Sequence, residues 1–111
     1  MNSFTLAYSS CPNDTFIFHA LAHRVIPTHG FDFKITMADV ETLNQQASNS
    51  FFDITKLSFA TFGATRDNYA LLRTGAALGR GCGPLVVSLP GKIMKNHIKV
   101  AVPGAGTTAS V

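Results

Sequence analysis

The chain has 111 residues, of which 46% are hydrophobic and 14% are charged. A disordered chain shows the opposite balance, so the composition excludes disorder and indicates one small domain or a piece of a larger one. Nine basic and six acidic residues give a formal net charge of +3. The basic residues are scattered singly, whereas a nucleic-acid site needs clustered positive charge. We therefore expect no nucleic-acid partner.

The N-terminus and the apolar runs argue against export and against a membrane. Residues 1–5 lack the positive charge and the long apolar run of a signal peptide. No apolar run approaches the roughly 18 residues that a membrane-spanning helix needs. We expect a cytoplasmic protein with no membrane partner, in which Cys11 and Cys82 are reduced.

Apolar segments and turn signals alternate along the first half of the chain. Strand-like runs are followed by capping residues and then by apolar residues at helical spacing. The predicted elements are a strand at 4–8, a helix at 14–24, a strand at 31–37, a helix at 39–47, a strand at 51–57 and a short helix from residue 58. The first helix is predicted to bury Phe16, Ile17, Ala20 and Leu21. The second strand is predicted to bury Phe31, Phe33, Ile35 and Met37.

The second half continues the pattern with more apolar runs and more glycine. Three further strands are predicted at 69–78, 84–89 and 98–102, with a polar connection at 91–97 and a helix that begins at Thr107. The alternation indicates an α/β fold with a mainly parallel sheet and flanking helices. In such a sheet the turns at the carboxyl ends of the strands gather at one edge, where ligands bind.

The turn at 104–109 carries the strongest local signal for a ligand. Its glycines allow close approach of the backbone, its free amides favour an anion, and Thr107 and Thr108 add hydroxyl groups. A plain tight turn with a threonine cap explains the same residues equally well. The segment also matches a dinucleotide fingerprint in its alanine form, which leaves a dinucleotide-binding oxidoreductase as one alternative.

Other turns supply weaker candidates. Lys56 and Ser58 follow the third strand and could bind an anion, or be an exposed lysine and a helix cap. Arg80 lies between glycines and could clamp a carboxylate, or be a solvated loop residue. Cys11 precedes a helix, where a thiol can act as a nucleophile, but no supporting histidine is evident.

Metal binding has little support in the sequence. His19 and His23 are four residues apart and could share one helix face, but no third ligand stands near them. We therefore expect no metal site.

Five blocks of the sequence, which span the chain in order, resemble the 1,4-dihydroxy-6-naphthoate synthase family of the futalosine route to menaquinone. The blocks are residues 10–18, 39–44, 55–60, 77–81 with 83–87, and 100–104 with 107–109. The resemblance implies a cytosolic carbon–carbon lyase that converts cyclic dehypoxanthine futalosine, a small carboxylate-bearing substrate, to 1,4-dihydroxy-6-naphthoate without metal or nucleotide. It also implies a type II periplasmic-binding-protein-like architecture, with residues 1–111 as the incomplete N-terminal part of the first of two lobes.

The resemblance also implies a set of binding residues in a cleft between the lobes. They are Lys56, Leu57, Ser58, Thr107, Thr108 and Ala109, with Gly79, Arg80 and Gly81 lining the same cleft. Cys11 and Asn13 are further candidates, which their turn suggests.

The general base of the family is a histidine further along than residue 111, and none of His19, His23, His29 and His97 matches it. The chain alone is therefore expected to be inactive and to associate through an exposed sheet edge. The rival class is a solute-binding or sensing module that uses the same two-lobe cleft without chemistry.

Overall fold

The computed structural model describes residues 2–92 and 96–110. The elements alternate as an α/β fold requires, and they cluster in the first 65 residues. They are β1 Asn2–Tyr8, α1 Pro12–Ala22, β2 Phe31–Met37, α2 Val40–Ser48, β3 Ile54–Thr55 and α3 Phe59–Thr65, followed by a single 3-10 turn at Thr108–Ser110. The predictions of β1, α1, β2 and α2 are confirmed, and their predicted bounds differ from the structure by no more than two residues. The third strand is much shorter than predicted.

Within the described ranges, the sheet has three parallel strands in the order β2-β1-β3. Its pairing continues past the ends of the strands, where the amide of Lys56 donates to the carbonyl of Ala7 at 2.8 Å. The amide of Ala38 likewise donates to the carbonyl of Tyr8 at 3.2 Å. Both neighbours are therefore held to the carboxyl end of β1, and the turns that follow the strands begin side by side.

The core lies between the sheet and α2. Leu43 and Ala47, four residues apart on α2, are fully buried with Ala7 of β1 and with Phe52. Burial of a leucine side chain of this kind contributes about 1.5–3 kcal/mol. The side chain of Asp39 accepts from the amide of Thr42 at 3.0 Å and so starts the helix. The sequence predicts Asp39 as the cap of this helix and Val40, Leu43 and Ala47 as its inward residues. The cap and the burial of Leu43 and Ala47 are confirmed, and Val40 is half-buried.

The predicted buried face of α1 is wrong at Phe16, whose exposed fraction is 86%. The helix turns Asp14 and Phe18 towards the sheet instead, and the ring of Phe18 stacks on Tyr8 with centroids 4.6 Å apart. The helical spacing predicts the helix correctly. It does not decide which face of the helix meets the sheet, because phenylalanines stand at both 16 and 18.

The alternation of β2 is only partly reflected in its burial. Phe33 and Ile35 are half-buried, but Phe31 and Met37 at the two ends of the strand are exposed. β2 is an edge strand, so its ends lack neighbours on one side.

The prediction of three later strands is wrong, because residues 69–78, 84–89 and 98–102 form no strand in the structure. Their side chains are largely exposed, with Leu78 at 81% and Leu85 at 85%. A strand exists only when a second strand satisfies its backbone groups, and an apolar run does not show whether one is available. Residues 93–95 of the predicted polar connection lie outside the described residues.

The overall shape is extended, as expected when the helices and strands lie in the first 65 residues and the later segments are largely exposed. The radius of gyration is 16.8 Å and the extents are 58 × 30 × 23 Å, whereas a compact domain of this length has a radius of about 13 Å. Within the described residues, no helix is long and apolar enough to cross a membrane.

Asp53 gives the fold a defined acid sensitivity. Its carboxylate accepts from the amide and then from the hydroxyl of Thr5, each at 2.8 Å, and these hydrogen bonds lower the pKa of Asp53 below its ordinary value of 3.8. The stability that these hydrogen bonds contribute is fully present at a pH above the ordinary pKa. It is lost as the pH falls through the lowered pKa of Asp53 in the folded chain. Asp53→Asn should therefore reduce the loss of stability on acidification, measured by urea unfolding between neutral and acid pH.

Asp67→Asn is the matched control, since Asp67 is also exposed and its carboxylate accepts no hydrogen bond from the described residues. Asp39, whose pKa the hydroxyl and the amide of Thr42 lower in the same way, is retained in both variants. Identical acid profiles for the two variants would contradict this account.

Candidate functional site

A buried carboxylate joins the turn after β1 to the turn after β3. Asp14, which is 5% exposed, accepts from the amide and the hydroxyl of Ser9 at 3.0 and 2.8 Å. Its other oxygen lies 3.3 Å from the ammonium of Lys56. Because buried charges are stable only when paired, this ion pair fixes the lysine side chain at the carboxyl edge of the sheet.

The ammonium of Lys56 keeps a donor for a ligand. It donates to the carbonyl of Gly75 at 3.0 Å in addition to the ion pair. An ammonium has three N–H donors, so these two contacts leave one. The side chain is 24% exposed, which leaves it accessible.

Ser58 is held by a reciprocal pair of hydrogen bonds with the buried Asn44 of α2. The amide of Ser58 donates to the side-chain oxygen of Asn44 at 2.9 Å, and the amide nitrogen of Asn44 donates to the hydroxyl of Ser58 at 3.1 Å. The hydroxyl oxygen is thus an acceptor within the protein. Its own proton remains for an outside acceptor.

The glycine turn at 104–108 packs onto α2 and α3. Its Gly106 amide donates to Glu41 of α2 at 3.2 Å, and its Gly106 carbonyl accepts from Thr61 of α3 at 2.7 Å. The hydroxyl of Thr108 accepts from the amide of Ala60 at 3.1 Å. Since Ser58 directly precedes α3, this contact brings Thr108 to the end of the helix where Ser58 lies.

The two threonines of the turn have different roles. Thr107 is buried and its hydroxyl donates to the carbonyl of Gly104 at 2.8 Å, which uses its only proton. Thr108 is exposed and its hydroxyl accepts, so its proton is left for a ligand. Thr107 thus closes the turn, and Thr108 is the one that can donate outward.

The remaining predicted residues are less constrained. Leu57 is half-buried and Ala109 is exposed beside the threonines. Residues 79–81 form an exposed loop, and no hydrogen bond or ion pair within the described part of the chain ties Arg80 to the other turns. Cys11 and Asn13 are exposed at the start of α1, where the amide of Cys11 donates to Ser9 at 3.3 Å.

Sequence reasoning missed the residues that hold the turns in place, which are Asp14 as an ion-pair partner, Glu41, Asn44 and Thr61. One signal was available: Glu41 and Asn44 are polar residues three apart on a short helix whose Leu43 and Ala47 are buried. That spacing puts both polar side chains on neighbouring positions of one helix surface. In the described ranges, no three histidine, cysteine or acidic side chains are grouped as metal ligands.

The fold and the site define the class: a small α/β protein with a parallel sheet and, beside it, turns that carry hydroxyl and ammonium donors. The profile of a family described as menaquinone biosynthesis matches residues 4–111, and the chain belongs to that family.

The chain is 46% identical over 109 residues to 1,4-dihydroxy-6-naphthoate synthase of Thermus thermophilus, covering 98% of this chain and 40% of the relative. It is 42% identical over 109 residues to the enzyme of the same name from Streptomyces coelicolor, covering 97% of this chain and 38% of the relative. The chain thus spans about two fifths of the length of these relatives.

A crystal structure of an Archaeoglobus fulgidus protein superposes with a TM-score of 0.72 at 31% identity. The match covers 76% of this chain and 31% of the other. The fold of about three quarters of the chain thus recurs in a solved structure.

Gly104 offers a direct test of the turn. Its φ of +149° favours glycine, and a Cβ at this position would overlap the carboxylate of Glu41. We expect Gly104→Ala to lower the free energy of unfolding by about 1–3 kcal/mol, measured in urea. Gly30→Ala is the control, because residue 30 also has a positive φ of +88° but a Cβ there meets no atom within 4 Å, so this substitution should lower stability less. Equal effects of the two substitutions would show that the turn is not packed against α2.

Proposed function

We propose that this chain supplies a carboxylate-binding part of a 1,4-dihydroxy-6-naphthoate synthase. The family match and two relatives that carry this name support the proposal. The whole protein would be a carbon–carbon lyase that converts cyclic dehypoxanthine futalosine to 1,4-dihydroxy-6-naphthoate, without metal or nucleotide. It would be a cytoplasmic protein of two lobes with the type II periplasmic-binding-protein-like architecture, and this chain would be part of the first lobe.

The observation that carries the proposal is the direction of the hydrogen bonds that two hydroxyl groups make. Ser58 and Thr108 each accept a hydrogen bond from a protein donor, so each presents a proton to any ligand at the start of α3. The ammonium of Lys56, two residues before Ser58, adds the N–H donor that its ion pair with Asp14 and its hydrogen bond to Gly75 leave unused. Two hydroxyl donors and an ammonium suit an acceptor-only group such as a carboxylate.

The reaction also needs a base within hydrogen-bond reach of the proton that it removes. The four histidines of this chain do not match the position of the family's base, and His19 and His23 lie together on α1 with ring centroids 4.4 Å apart. In our proposal the base comes from another part of the complete protein. The chain alone would then bind the carboxylate without turning over the cyclic futalosine.

A binding measurement tests the proposed role of Ser58. In NMR titrations with 1,4-dihydroxy-6-naphthoate, Ser58→Ala should weaken binding by about tenfold or more, because it removes a charge-assisted hydrogen bond. Ser88→Ala is the matched control, since Ser88 is exposed and its hydroxyl contacts only the adjacent carbonyl of Leu89.

The ligand itself has a matched control in 1,4-dihydroxynaphthalene, which lacks the carboxylate and should bind more weakly. Equal binding of the two compounds would contradict carboxylate recognition. Absence of synthase activity in the complete protein, with ligand binding retained, would favour the solute-binding class instead.

We also propose that the chain on its own associates with itself through the edge of β2. β2 is an outer strand of the sheet, and Phe31 and Met37 on it are exposed. Unpaired strand edges with apolar side chains favour pairing with a second copy. Analytical ultracentrifugation should show concentration-dependent dimers, and Met37→Lys, at an exposed position of β2, should reduce them. A strictly monomeric chain over the whole concentration range would contradict this proposal.

A further inference from the structure

We propose that Glu41 of α2 is a positioning residue, which sets the place of the Gly104–Thr108 turn relative to Ser58. The inference rests on the proposed function, because the two elements that Glu41 relates are the proposed ligand donors. Glu41 and Asn44 lie three residues apart on α2. Asn44 fixes Ser58 through two hydrogen bonds, and Glu41 fixes the turn through the amide of Gly106. The helix α2 thus contacts both Ser58 and the turn that carries Thr108.

The packing around Gly104 supports this role independently of the hydrogen bond. A Cβ on Gly104 would overlap the carboxylate of Glu41, so the turn has room for this carboxylate only because residue 104 lacks a side chain. On the other side of the turn, the hydroxyl of Thr61 donates to the carbonyl of Gly106. Gly106 is therefore held between α2 and α3 by both of its backbone polar groups.

This arrangement also changes how the turn meets an anion. The amide of Gly106, which a glycine turn would otherwise offer to a ligand, is already used by Glu41. A bound carboxylate is then met by Thr108 and Ser58 and not by this amide. Glu41 and the ligand are partners of different donors, so they do not compete.

A simpler role for Glu41 would be its charge alone. It stands in the first turn of α2, where a negative charge stabilises a helix through the helix dipole. Two conservative substitutions separate the roles. Glu41→Gln keeps the length and an acceptor oxygen but loses the charge, whereas Glu41→Asp keeps the charge but shortens the side chain by one methylene.

Hydrogen exchange at the Gly106 amide, followed by NMR in the 111-residue chain, measures the contact directly. Glu41→Asp and Glu41→Ala should speed exchange about tenfold relative to the unsubstituted chain, and Glu41→Gln should change it little. Asp67→Ala is the control, because it removes an exposed carboxylate beyond the end of α3. Urea unfolding of each variant establishes that the fold is retained, and the Gln and Asp variants carry the comparison if the Ala variant does not fold.

Titration of the same variants with 1,4-dihydroxy-6-naphthoate adds the functional readout. Glu41→Asp should weaken binding several-fold while Glu41→Gln preserves it. The inference is overturned if exchange follows charge, with the Gln variant fast and the Asp variant slow. It is also overturned if Glu41→Ala tightens binding, since Glu41 would then compete with the ligand. Should the unsubstituted chain bind no naphthoate, the proposed function fails while the exchange pattern still decides whether Glu41 holds the turn.

Discussion

Parallel hydrogen bonding of β1 with both of its neighbours is the constraint on which the rest of the structure depends. It places the ends of β1, β2 and β3 at one edge, and it extends beyond β3 to the amide of Lys56. The turn after β1 then meets the turn after β3, where Asp14 pairs with Lys56. Without this alignment the charged side chains would be isolated, and a buried carboxylate without a partner would be strongly destabilising.

The site is organised by residues whose hydrogen bonds hold other parts of the site in place. Asn44 and Glu41 hold the backbone and hydroxyl of other residues, and Thr107 closes its own turn. Their hydrogen bonds determine which hydroxyl protons remain available. This is why Ser58 and Thr108, rather than Thr107, are the donors that the structure presents.

The second half of the chain has the composition of a folded core but little of its structure. Leu78, Leu85 and Val87 lie exposed in segments whose apolar runs are typical of buried strands. The relatives that share these segments are about two and a half times as long as this chain. Hydrophobic runs are a local property of a sequence, whereas a strand requires a neighbour that can lie far away along the chain.

The amino-acid sequence by itself determined the α/β alternation, the cap of α2 at Asp39 and the turns that could bind an anion. These features depend on residues within a few positions of one another, so local chemistry specifies them. Only the tertiary structure decided that Glu41 reaches Gly106, 65 residues away along the chain, and that Asp14 is buried against Lys56. The same holds for the exposure of Phe16 and the absence of the later strands. Each of these depends on which distant segment packs nearby, and neither spacing nor composition records that choice.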